Sequence, residues 1–78
     1  MDRLRQRFAM NLVKARHARE LTQEALAYEA GVDRTYISMI ENRSVSVSLD
    51  RIELLARALK IDPLEFFMPL PKASRRKP

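Results

Sequence analysis

Eleven residues near the middle of the chain, Val32-Asp-Arg-Thr-Tyr-Ile-Ser-Met-Ile-Glu-Asn42, carry the side chains best equipped to recognise another molecule. Asp33 is a helix N-cap residue type, and a helix from Arg34 to about Asn42 turns Ile37 and Ile40 to one side. Arg34, Thr35, Ser38, Met39 and Asn42 are left on the other, with Tyr36 at the flank. An Arg at the N-terminal end of such a helix can donate two hydrogen bonds to guanine O6 and N7, and Thr35 can bond a base edge or touch a thymine methyl. Those are base-reading chemistries. Competing chemistries lack their parts: with no Cys and a single His, His17, thiolate and multi-histidine metal centres are excluded, and His17 is expected at the surface. Ser44, Ser46 and Ser48 have no histidine base beside them and take loop and cap roles. One glycine cannot build a phosphate cradle. No catalytic residue, metal or cofactor is expected, and the chain is not read as an enzyme.

A base-reading helix needs a scaffold, and the rest of the chain supplies helices. Leu4, Phe8, Leu12 and Ala15 recur every three or four residues, so helix 1 is expected over 2–18. Thr22 caps helix 2, which runs from Gln23 to Ala30 with Glu24 in its first turn, where the helix dipole favours an acid. Gly31 stops it, because glycine enters the left-handed conformation without a Cβ penalty. Ala27, four residues before Gly31, is small enough to let helices 2 and 3 approach, with Leu26, Val32 and Ile37 as the apolar wedge. Residues 43–48 alternate polar and apolar but have no second strand to pair with, so they are read as a loop. Ser48 caps helix 4, whose stripe is Leu49, Ile52, Leu55, Ala56 and Leu59, and Asp62 caps a last short helix over 63–67 that starts on a tolerated proline. The fold class is all-α, with five helices.

With 78 residues the chain makes one small domain, expected over 1–71, followed by a disordered basic tail over 72–78. Single cores of this size are only marginally sufficient, so helix packing or oligomerisation must compensate. No apolar run approaches the ~18 residues of a membrane span and the N-terminus lacks a signal-peptide stretch, so a cytoplasmic location is expected. The net charge of +5 is unevenly spread. Residues 1–19 carry six basic groups against one acid, residues 20–71 five against nine, and the tail four against none. Bulk basicity is therefore poor support for nucleic-acid binding, and the placement of Arg34 and Arg43 around helix 3 is better support. Arg3, Arg5 and Arg7 are read as a solvated face that approaches phosphate peripherally at most.

Leu21-Thr-Gln-Glu-Ala-Leu-Ala, Ala30-Gly-Val-Asp-Arg-Thr-Tyr-Ile-Ser, Ile40-Glu-Asn, Ser48-Leu and Leu55-Ala-Arg-Ala-Leu together resemble the λ-repressor/Cro-like (XRE) helix-turn-helix regulators over about residues 4–67. Asp33-Arg-Thr-Tyr-Ile-Ser38 with Ile40-Glu41 is most similar to the controller proteins of restriction–modification systems. The resemblance implies a five-helix DNA-binding domain in which Arg34, Thr35, Ser38 and Met39 face the bases. Gln23 would bond a phosphate through its side chain or backbone amide, and Tyr36, Asn42 and Arg43 would hold the flanking backbone. For Tyr36 a place at the edge of the core remains open. Arg16 and Glu41 stand at the positions of a structural salt bridge. Three residues depart from the pattern: Glu20, Arg43 and Lys60 replace the glycines that usually end helices 1, 3 and 4, so each turn is either strained by roughly 1 kcal/mol or capped differently. Met39 can offer the bases apolar contact only.

Phe66, Phe67, Met68 and Leu70 are more apolar surface than one helix face can bury, and an exposed apolar patch marks a partner. Two of them are expected to close the core. The set is expected to form a two-fold homodimer interface with the outer edge of helix 4, and two-fold symmetry implies an inverted-repeat operator on double-stranded DNA. No small-molecule effector is expected. The tail's cations would add nonspecific affinity. A second reading, from a different class, is an antitoxin-type interaction module that uses the apolar end to neutralise a toxin.

Overall fold

The computed structural model describes residues 3–69. Leu70, the 72–78 tail and the expected helical start at residue 2 lie outside them. Four α-helices follow one another: α1 (Arg3–Ala18), α2 (Gln23–Ala30), α3 (Arg34–Glu41) and α4 (Leu49–Leu59). The expected fifth helix is instead a 3-10 helix, η1 (Pro63–Phe67). Five residues that start on a proline and end at the extended backbone of Met68 are too few for an α-helical hydrogen-bond ladder, and the tighter turn satisfies them.

Side-chain caps start α2, α4 and η1 as the residue types require. Thr22 accepts from the Ala25 amide, Ser48 from the Arg51 amide and Asp62 from the Leu64 amide. Asp33 takes the extended cap conformation before α3, but its carboxylate accepts no capping hydrogen bond. All four α-helices end in the same way. The amide of the left-handed residue bonds three residues back and the next amide bonds five back, as in Gly31 to Tyr28 and Val32 to Ala27. The left-handed residues are Glu20 (φ 58°), Gly31 (φ 73°), Arg43 (φ 63°) and Lys60 (φ 59°). Three of the four therefore carry a Cβ in a region that disfavours one, which is the strained alternative of the two the sequence left open. Leu21, Val32 and Ile61, each next after a left-handed residue, pack against the core and offset part of that strain.

The core is built from Phe8 and Leu12 of α1, Leu26 of α2, Ile37 and Ile40 of α3, Leu55 and Leu59 of α4, and Phe66 of η1. Ala27 is buried where α2 meets α3, as its size predicts. Phe8 and Phe66 rings lie 4.6 Å apart. Leu4, expected on the inward stripe, is 59% exposed because the core ends one turn later, at Phe8. Between α3 and α4 the chain forms the expected loop. Val45 and Val47 lean on the core while Ser44, Ser46 and Ser48 face outward, so the alternation serves a strap rather than a strand.

Two polar side chains are buried with this core. Asn11 donates both amide hydrogens, to the carbonyls of Phe66 and Met68, each at 2.9 Å. This joins α1 to η1. Arg16 is the second, and it belongs to the site.

Replacing Glu20, Arg43 or Lys60 by Gly should each raise stability by about 0.5–1 kcal/mol, the strain relieved less the extra chain entropy of glycine. Urea midpoints check the sign. Gly31→Ala should lose about 1 kcal/mol although its added Cβ would meet nothing within 4 Å, because the cost there is in the backbone alone.

Candidate nucleic-acid interface

Neither α2 nor α3, at eight residues each, is long enough to hold its shape alone. Burial of Leu26, Ala27 and Ala30 on one and Ile37 and Ile40 on the other fixes their crossing. The remaining face of α3 is what solvent sees. Arg34 and Thr35 are exposed in its first turn, Ser38 and Met39 are half-buried one turn on, and Asn42 and Arg43 are exposed where it ends. These six of the expected residues therefore lie along α3 and the turn just after it, with exposed side chains at both ends and half-buried ones between.

Tyr36 is half-buried against the core, and the guanidinium of Arg51 lies over its ring at 5.0 Å from the centroid. Of the two open readings of Tyr36, the core-edge place is the one seen here, with one face of the ring covered by a cation. Arg51 was not singled out from the sequence. The signal that could have found it is a cation in the first turn of α4, where the helix dipole disfavours positive charge.

Behind α3 lies a buried ion pair. Arg16 Nε donates to Glu41 Oε2 at 2.8 Å and its Nη2 to Oε1 at 3.1 Å, a two-pronged contact between side chains only 10% and 9% exposed. Arg16 Nη1 also donates to the Leu21 carbonyl at 2.8 Å. The pair expected from resemblance therefore joins α1, the α1–α2 turn and the end of α3. Gln23 extends it. Its Nε2 donates to Glu41 Oε1 at 2.9 Å, and its Oε1 accepts from Arg34 Nη1 at 3.5 Å. The resemblance implies a phosphate contact for Gln23 through its side chain or backbone amide; the side chain here bridges the ion pair and the first residue of α3.

The expected partner surface divides. Phe66 is fully buried against Phe8 and is core, which corrects its assignment to a dimer interface: a ring with no exposed area within one chain has nothing to offer a second. Phe67 is half-buried, Met68 is 55% exposed, and Leu70 lies outside the described residues. A groove of about 860 Å³ opens beside Phe67, lined by Leu4, Val45, Val47, Leu49 and Ile52 with Arg5 at its edge. Arg5 donates across it to Ser46 Oγ at 3.0 Å, so one of the three arginines read as a solvated face is tied to the loop. Among the described residues no group of three or more His, Cys, Asp or Glu could hold a metal ion, and no helix is long and apolar enough to cross a membrane.

Two short helices crossing at a left-handed glycine, the second with its polar side turned out, are a helix-turn-helix unit. The chain belongs to the helix-turn-helix family HTH_3, whose model matches residues 12–66. Its relatives include control protein C.BamHI of Bacillus amyloliquefaciens, 49% identical over 43 residues, or 55% of this chain and 53% of that protein. Control protein C.MunI of a Mycoplasma species is 37% identical over 73 residues, 92% of this chain and 99% of that one. Among solved structures, the restriction-modification controller protein C.AhdI from Aeromonas hydrophila matches with a TM-score of 0.79 at 41% identity, over 81% of this chain and 96% of that chain. The match to C.BamHI spans about half the length of that protein.

Arg16→Met should cost about 3–5 kcal/mol in chemical denaturation, because it leaves the Glu41 carboxylate buried and unpaired. Adding Glu41→Leu should recover a large part of that loss. A double variant no more stable than the single one would mean that the pair is not the source of the cost.

Proposed function

We propose that the chain is a sequence-specific, double-stranded DNA-binding transcriptional regulator of the restriction–modification controller type, binding an inverted-repeat operator as a homodimer. The observation that carries this reading is the exposed Arg34–Thr35 pair in the first turn of α3, on a helix held from behind by the buried Arg16–Glu41 pair. Arg34 donates two of its N–H groups to guanine O6 and N7, and Thr35 reaches the neighbouring base. Ser38 and the apolar Met39, half-buried, read only what comes close to α3. Tyr36, Asn42 and Arg43 hold the flanking phosphates, and the free backbone amides at the N-terminus of α2, beginning at Gln23, take another.

Dimerisation uses the outer edge of α4 and the segment after it. Leu49 and Met68 are exposed, and the groove that Leu49 and Phe67 line gives them somewhere to pack in a second copy. Two-fold symmetry then sets two half-sites about one helical turn, ~34–36 Å, apart. The names of the relatives support the controller type and give no support to the antitoxin reading. Occupancy would follow protein concentration through coupled dimerisation and DNA binding.

Selection of bound fragments from a random DNA pool should return an inverted repeat. Arg34→Ala should then cost ~1–3 kcal/mol and relax preference at one base pair in each half-site. A pool with no preferred repeat overturns the reading. Leu49→Asp and Met68→Asp should weaken self-association in sedimentation and lower operator affinity with the helical content unchanged; a variant pair that still sediments as the parent does moves the interface elsewhere.

A further inference from the structure

As a stabilising device the stack of Arg51 on Tyr36 is poorly placed. Arg51 lies in the first turn of α4, where the helix dipole disfavours a cation, so part of what the ring contributes is lost again. Its side chain is exposed, and the one salt bridge among the described residues is Arg16–Glu41, so no carboxylate there offsets its charge. The residue is nevertheless held at both ends: its backbone amide donates to Ser48 Oγ at 3.1 Å and its guanidinium stands 5.0 Å from the Tyr36 ring centroid. Residues 20–71 carry only five basic groups, and Arg34, Arg43 and Arg51 stand at the start, just past the end and at the flank of α3.

A helix with its side chains is about 10–12 Å across and the major groove is about 12 Å wide. A reading helix therefore fills the groove, and a group packed on its flank meets the rim, where the phosphates run. From this, and resting on the reading of α3 as the DNA-reading helix, we infer that Arg51 is a ligand of the DNA backbone and that Tyr36 acts there through its ring, as the platform that aims the guanidinium, rather than through its hydroxyl. Attraction to the ring face is electrostatic and leaves the N–H donors of Arg51 for a phosphate. The ring also restricts a long side chain before binding, which lowers the entropy lost when it meets its anion.

A backbone contact and a base contact differ in salt dependence. On the selected operator, Arg51→Gln should lower affinity roughly tenfold for each half-site at 0.1 M salt and reduce the slope of log affinity against log salt by about one for each protomer. The preference for that operator over one altered at the base pair that Arg34→Ala relaxes should stay as it is. Tyr36→Phe keeps the ring and should bind as the parent does. Tyr36→Leu removes the platform, so it should lose affinity several-fold and cost nothing further in an Arg51→Gln background. Arg51→Gln alters an exposed side chain and Tyr36→Phe a single oxygen, so both remain readable if Tyr36→Leu fails to fold. Three results overturn the inference and leave the regulator reading intact: an unchanged slope in Arg51→Gln, a loss in Tyr36→Phe as large as that in Arg51→Gln, or a Tyr36→Leu loss that persists in full in the Arg51→Gln background. Absence of any preferred operator for the parent protein overturns both.

Discussion

A single buried ion pair organises the half of the molecule that faces outward. Arg16 belongs to the first helix and Glu41 to the end of the third, and their contact is closed by the Leu21 carbonyl on the turn between α1 and α2. Taking two charges out of water is costly, and an apolar replacement often does as well for stability alone. What an apolar pair could not do is offer directional hydrogen bonds. The same carboxylate oxygen that accepts from Arg16 Nη2 accepts from Gln23, so the start of α2 is tied to the end of α3 through one atom. The angle between two helices too short to be stable alone therefore rests on packing on one side and on charge-assisted hydrogen bonds on the other.

Tyr36 and Arg51 make a second, weaker tie. The ring belongs to α3 and the cation to the first turn of α4, so the stack spans the loop that carries Arg43 and the three serines. At about 0.5–1 kcal/mol for an exposed pair it adds little to global stability. Its effect is local: it limits where the aromatic edge of α3 can move.

Most of this was legible in the sequence, and what was not has identifiable causes. Thr22, Gly31 and Ser48 fixed α2 and the start of α4 because capping is chemistry between near neighbours, set by residue type and spacing. The polar side of α3 followed from Ile37 and Ile40 alone. The failures involve partners distant in sequence. Asn11 interrupts the apolar stripe of α1 between Phe8 and Leu12, but its purpose depends on carbonyls 55 and 57 residues away. Phe66 and Phe67 are neighbours of one chemical type, and only the geometry of a 3-10 turn decides that the first enters the core and the second stays at its edge. Gln23 matched a family position by type, yet its partners Glu41 and Arg34 lie 18 and 11 residues on. Asp33 shows the reverse case, a correct cap residue in the correct backbone conformation whose side chain makes no cap bond.

The amide of Asn11 bears on how the molecule comes apart. By holding the carbonyls of Phe66 and Met68 it makes the first helix and the last turn one structural unit, with the tilted Phe8 and Phe66 rings in contact. Neither η1 nor α1 from Phe8 onward can open by itself: lifting η1 strands a buried amide and exposes Phe8, and lifting α1 strands two carbonyls and exposes Phe66. In many small helical domains the termini open at little cost and exchange their amide hydrogens early. Here α1 from Phe8 onward and η1 share one opening event, so slow hydrogen exchange should reach from Phe8 to the last turn, and α3 sits inside a frame that opens as a whole.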